Sequence, residues 1–226
     1  MQSRGTLLLI GALLGFGLAS CRNQSGGDAT CCSLLSTPPV AVPSAAIPDL
    51  DEETITRALD NGRAIAAEAQ KELGSRLMRA VGEGGFTNAL EVCSVEALPL
   101  TRLVADRNGV TIARVSHKAR NPLDKATPEE MDLIRSFQTL LEEQSEPLIP
   151  VVQSGDAATV RFYAPILINN PLCLNCHGTE ESDIQSATLS TIRRLYPEDQ
   201  ATGFKYGDLR GLWRIDIPRE SLFAER

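Results

Sequence analysis

Histidine is almost missing from this chain, with two in 226 residues, and methionine is scarce at three. Beyond the cysteines, few side chains are left that could bind a transition metal through nitrogen or thioether sulfur. Cys-x-x-Cys occurs once and His-x-His not at all, which excludes a closed tetrahedral zinc site built from two close ligand pairs. Positive charge is also short: the formal net charge is −7, so nucleic acid is not an expected partner. No apolar run is long enough to span a bilayer comfortably; the longest, Thr6 to Leu18, covers about two thirds of the roughly 20 residues a helix would need. Neither an internal repeat nor a second low-complexity break divides the rest, so a single folded domain is expected. No nucleophile and base stand together in a pattern that would suggest an enzyme.

What is present is concentrated at one place, Cys173-Leu174-Asn175-Cys176-His177. Two thiols three residues apart, followed at once by an imidazole, form the attachment sequence of a c-type haem. The spacing sets both sulfurs along one porphyrin edge, where each can add to a vinyl group, and the next residue turns back to ligate the iron. The expected cofactor is one covalent haem c per chain, with Cys173 and Cys176 on the ring and His177 on the metal.

Thioether attachment takes place on the export side of a membrane, and the N-terminus reads as an export signal. Arg4 precedes the Gly/Ala/Leu-rich run, which ends in Leu18-Ala19-Ser20-Cys21, a sequence that looks like a bacterial lipobox. Residues 1–20 are expected to be a signal peptide, and Cys21 the lipidated first residue of the mature protein, held to the membrane by its acyl chains. Arg22 in place of an aspartate favours the outer membrane, facing the periplasm. Residues 21–50, rich in Gly, Ser, Pro and Ala, read as the anchor and a flexible tether, and residues 51–226 as the folded domain. Cys31 and Cys32 lie in the tether without an assigned role.

Within 51–226, helical spacing of Ile55, Leu59, Ile65, Ala69, Leu73 and Leu77 predicts a long N-terminal helix to about Val81, stopped by Gly82, Gly84 and Gly85. A second stretch carries Phe86, Leu90, Cys93 and Ala97 on one stripe, directs Cys93 to the core, and is bent or ended by Pro99. Thr127-Pro128-Glu129-Glu130 predicts a capped helix, and Ser182 with Gln185 a second capped helix over 182–195. The stretches 110–115, 148–152, 159–168 and 212–217 read as strands, with a turn at Ser154-Gly155-Asp156. The expected class is α+β.

The second axial position has few candidates: His117, Met78, Met131 and Cys93. A histidine would make a six-coordinate electron carrier, methionine would raise the potential, and thiolate would lower it. Cys93 also reads as an ordinary buried thiol, His117 as a loop histidine beside Arg114, Lys118 and Arg120, and the methionines as packing residues. Arg120 is a candidate partner for a haem carboxylate, since a guanidinium can hold one through two parallel bonds.

Glu91-Val92-Cys93, Arg114-Val115-Ser116, Arg120-Asn121-Pro122, the Cys173–Gly178 segment, Tyr196-Pro197-Glu198-Asp199, Gly203, Gly207-Asp208 and Arg210-Gly211 together resemble one bacterial family. This is the PAS-like c-type haem domain, long catalogued as a domain of unknown function. Its members stand alone in the periplasm or serve as sensor domains of histidine kinases and chemoreceptors. The resemblance spans about residues 55–218 and implies a PAS-like antiparallel sheet flanked by helices. It also implies a haem held between His177 and Cys93; His117 departs from the pattern and keeps a bis-histidine haem as the alternative. Electron transfer among envelope partners is the expected role. The alternative is redox or diatomic-gas sensing through a separate partner protein.

Overall fold

In the computed structural model, residues 50–143 and 148–224 are described. The expectations for the leader, for Cys21, Cys31 and Cys32, and for the tether up to residue 49 lie outside them. Helix α1 (Glu52–Asn108) opens the fold, with Asp51 as its N-cap: the carboxylate accepts from the Thr54 amide at 2.8 Å and the Thr54 hydroxyl at 3.0 Å. Strand β1 (Thr111–Val115) and helix α2 (Pro128–Glu143) follow, then β2 (Val151–Ser154) and β3 (Thr159–Leu167), which are joined at Gly155-Asp156. A one-turn helix α3 (Leu174–His177), helix α4 (Ser186–Leu195) and strand β4 (Leu209–Pro218) complete the order. No helix among the described residues is long and apolar enough to cross a membrane.

Helix α1 is a hairpin rather than a rod. Gly84 and Gly85 leave helical geometry, Gly85 at φ 71°, a region that a residue with a Cβ rarely enters. The limbs 52–83 and 86–108 run back along each other, joined by Arg76 to Glu96 through two bonds of 2.5 and 2.7 Å and by Arg107 to Glu68 at 3.4 Å. The second limb continues through Pro99 to Asn108, where the sequence had suggested a bend or an end. Proline removes one helical donor there, but neighbouring contacts hold the limb in place: Thr101 donates to the Ala97 carbonyl at 2.8 Å, and Thr101, Val104 and Ala105 are buried.

The sheet is antiparallel throughout, in the order β1-β4-β3-β2. Successive residues point to opposite faces, and the two faces carry different helices. Phe162, Trp213, Ile215 and Ile217 pack on α1 with Ala58, Ile65, Ala66 and Val104, whereas Tyr163 and Leu212 pack on Ile134 and Phe137 of α2. Gly62 lets the first limb approach the sheet, since a Cβ there would fall 2.3 Å from the Phe162 ring. This α+β arrangement, an antiparallel sheet flanked by helices, is consistent with a PAS-like fold.

The capping box at α2 forms, with the Thr127 amide donating to Glu130 at 2.9 Å and the Glu130 amide to the Thr127 hydroxyl at 3.3 Å. The one expected for 182–195 does not. Helix α4 begins at Ser186, Gln185 at its N-cap gives no side-chain cap, and Asp183 just before it accepts from the Thr179 amide at 2.7 Å. Met78, read as a packing residue, is half exposed near the hairpin turn.

Candidate functional site

Asn170 starts the site locally. Its side chain accepts from the Leu172 amide at 2.9 Å and caps a 3-10 turn, Pro171–Cys173, that runs directly into α3. Cys173, Cys176 and His177 are thereby wound onto consecutive helical turns. The segment is wedged between two apolar clusters: Cys173 and Leu174 pack against Ile168, Ala201 and Phe204, while Cys176 packs against Leu90 of α1 and Ile184 and Ile192. Both thiols are free. Burial pushes the Cys176 thiol up to about 11, so the sulfur stays protonated at neutral pH.

His177 is held by the backbone. Its Nδ1 lies 2.8 Å from the Ala201 carbonyl, a contact in which the ring nitrogen must donate, so the Nε2 lone pair is left for another partner. Burial, reinforced by the positive charges of Arg210, Arg120 and Arg114, keeps the imidazole well below its usual range and therefore neutral. A neutral imidazole with one nitrogen committed to a carbonyl is the state a metal-ligating histidine requires.

The loop 199–204 is the frame of the site. The Phe204 amide donates to the His177 carbonyl at 2.9 Å, the Gly203 amide to the Gly178 carbonyl at 2.8 Å, and the Gln200 amide to the Ala119 carbonyl at 3.0 Å. Arg120 locks this frame. Its Nε donates to Asp199 at 3.0 Å and its Nη2 to the Cys176 carbonyl at 2.6 Å, with both side chains almost fully buried. The guanidinium that the sequence offered to a cofactor carboxylate is thus engaged with a carboxylate of the protein.

The two axial candidates lie in different surroundings. Cys93, on the second limb of α1, lies close enough to Cys176 for its charge to bear on that thiol. It is half-buried on the side of the Cys173–His177 segment, outside the clusters that fill the sheet core. Burial pushes its thiol up, and Arg114, Arg76 and Arg120 pull it down. His117 lies toward α2, its Nε2 3.4 Å from the Gln138 side-chain nitrogen and its ring edge-on to Phe204 at 5.8 Å. Its Nδ1 is buried without a hydrogen-bond partner, and burial lowers its basicity. Met131 packs in the α2 core.

Phe204 escaped sequence reasoning, although it organises this side of the site: both histidines meet its ring edge-on, and Lys118 and Arg210 stack on it. A lone aromatic in a loop carries no local signal. Among the described residues, no cluster of three or more His, Cys, Asp and Glu side chains could hold a free metal ion.

A family model described as Tll0287-like matches residues 49–218. The fold is similar to the crystal structure of the cyanobacterial haem protein Tll0287, with a TM-score of 0.53 and 24% identity, over 71% of this chain and 94% of that one. No curated protein matches.

Proposed function

Because the chain belongs to the Tll0287-like family, we propose that it is a monohaem c-type cytochrome, tethered by lipid at Cys21 to the periplasmic side of the cell envelope, where it carries single electrons. The residues present suit that group. The observation that carries the reading is the pairing of a Cys-x-x-Cys-His turn with the His177 Nδ1 bond to Ala201, which leaves Nε2 as an axial donor. Cys173 and Cys176 would form the thioethers, and Cys93 is the preferred donor opposite His177, on the grounds of its closeness to Cys176. Haem bound there supplies a one-electron iron couple. The protein's part is to fix the imidazole tautomer, to exclude water with Leu90, Ile168, Ile184 and Ile192, and to hold the attachment turn through Arg120. If His177 and Cys93 both held the iron, no position would be left for oxygen chemistry, and the role proposed is accordingly non-enzymatic.

Sensing through a separate partner is a second reading, favoured by one observation: burial raises the Cys93 thiol, and a sulfur that keeps its proton is a weaker donor. The test is spectroscopic, on full-length protein matured in cells competent for c-type assembly. The pigment should resist extraction into acidified organic solvent. Cys93→Ala should convert the ferric low-spin spectrum to high spin, while His117→Ala leaves it unchanged. The reverse result would move the ligand to His117, and a colourless protein would end the haem reading. Rapid carbon monoxide binding by the ferrous wild type would favour sensing.

A further inference from the structure

Cations outnumber acids around His177, and they are not equally occupied. Arg120 has Asp199, and Lys118 donates to the Thr202 carbonyl. Arg210 is different. Its Nη1 is fixed by the Ser116 hydroxyl at 2.8 Å and the Lys118 carbonyl at 3.1 Å, while its buried Nε has no acceptor. On a guanidinium, Nε and Nη2 form one of the forks that grip a carboxylate through two parallel bonds, so the orphaned donor marks an unused edge. An unmade bond at a buried charged donor is costly and asks for an acceptor.

Arg114, half-buried on another strand, likewise has no acidic partner among the described residues. On β1 it stands opposite Trp213 of β4, and directly opposite residues share a face, so it projects from the α1 side of the sheet. Its charge bears on Cys93, on His177, on Tyr196 and on Arg210. It makes no ion pair or side-chain hydrogen bond among the described residues. Asp124 is the acid that feels both arginines, but burial pushes its carboxyl up and weakens it as a counter-ion. Burial and the like charges of Arg120 and Arg114 bring Arg210 down to about 10, the mark of a cation short of negative charge. Asp199 is committed to Arg120, and Asp208 to the Lys205 amide.

Resting on the haem reading, we infer that Arg114 and Arg210 form the carboxylate cradle for the haem propionates, while Arg120 serves the polypeptide alone. Two guanidiniums from neighbouring strands would keep a propionate ionised, and their positive charge would favour the reduced over the oxidised iron.

The experiment is a redox titration of the full-length, haem-loaded protein from about pH 5 to 8, with Arg114→Gln, Arg210→Gln and, as controls at exposed arginines paired with their own helical neighbours, Arg63→Gln and Arg135→Gln. The wild-type midpoint potential should be nearly flat across that range. Arg114→Gln and Arg210→Gln should lower it and make it pH-dependent, because the propionate then titrates, and the propionate bending modes in the resonance Raman spectrum should shift. Neither control should introduce that pH dependence. If both cradle variants keep the wild-type potential, pH profile and Raman modes, the cradle is refuted; if only the controls move them, it is refuted equally. Should Arg210→Gln fail to fold, Arg114→Gln on its partly exposed strand decides alone. A wild-type protein without covalent pigment would refute the haem reading itself, a separate outcome visible before any titration.

Discussion

Asp199→Asn tests whether the Arg120–Asp199 pair supports the Cys173–His177 turn. The substitution keeps the shape and the oxygen that accepts from the Ala201 amide at 3.0 Å, removes the charge, and turns the oxygen that accepts from Arg120 Nη2 at 3.3 Å into a donor. Asp199 and Arg120 are 8% and 11% exposed, so solvent cannot take over from the missing partner. Removing one member of a buried pair costs roughly 3–5 kcal/mol. Arg120 keeps its bond to the Cys176 carbonyl, which argues for the lower end, about 3 kcal/mol. For a domain of this size that corresponds to a melting shift of about 6–12 °C. Urea unfolding of the haem-loaded protein should show a lower midpoint with an unchanged slope. Hydrogen exchange should quicken at the Gly203 and Phe204 amides, which bond to the Gly178 and His177 carbonyls. Replacing both partners, Arg120→Met with Asp199→Leu, should recover part of the loss, because no uncompensated charge remains. A loss under about 1 kcal/mol, or a double variant as unstable as the two single losses added together, would refute the claim that the pair holds the frame.

Gly62→Ala should destabilise the fold by about 2 kcal/mol in chemical denaturation, since the new methyl would overlap the buried Phe162 ring and outweigh the gain in helix propensity. The Tyr163 hydroxyl is pushed up to about 12, chiefly by burial and then by Glu130. The unfolded tyrosine ionises near 10, so stability present below pH 10 is lost as pH rises toward 12, by up to about 3 kcal/mol; Tyr163→Phe should flatten that loss. Cys176→Ala should leave one thioether in place, detected as a pyridine haemochrome band displaced to longer wavelength, while Cys173→Ala with Cys176→Ala should release all pigment to acidified solvent.

The elements with strong local signals were legible. The α2 capping box, the turn after β2 and four strands stand close to where spacing and residue type put them, because each depends on contacts a few residues apart. Pro99 misled because its local cost is overridden by burial of Thr101, Val104 and Ala105. Ser182 misled because the amides of Ser182, Asp183 and Ile184 turn back to the Thr179 carbonyl, so residues 179–184 close a turn of their own and α4 starts only at Ser186.

From the primary structure alone came the attachment chemistry proposed for the Cys173–His177 turn, since two sulfurs and an imidazole within five residues need no distant partner to define their spacing. It could not say which remote side chains gather around that turn. Bringing Cys93 near Cys176, His117 toward α2, Arg120 onto Asp199 and the unmatched Arg114 and Arg210 beside His177 required the α1 hairpin and the return of the 199–204 loop. Those contacts join positions separated by up to roughly a hundred residues, and only the packed sheet with its two helical faces pays the entropy of closing loops that long.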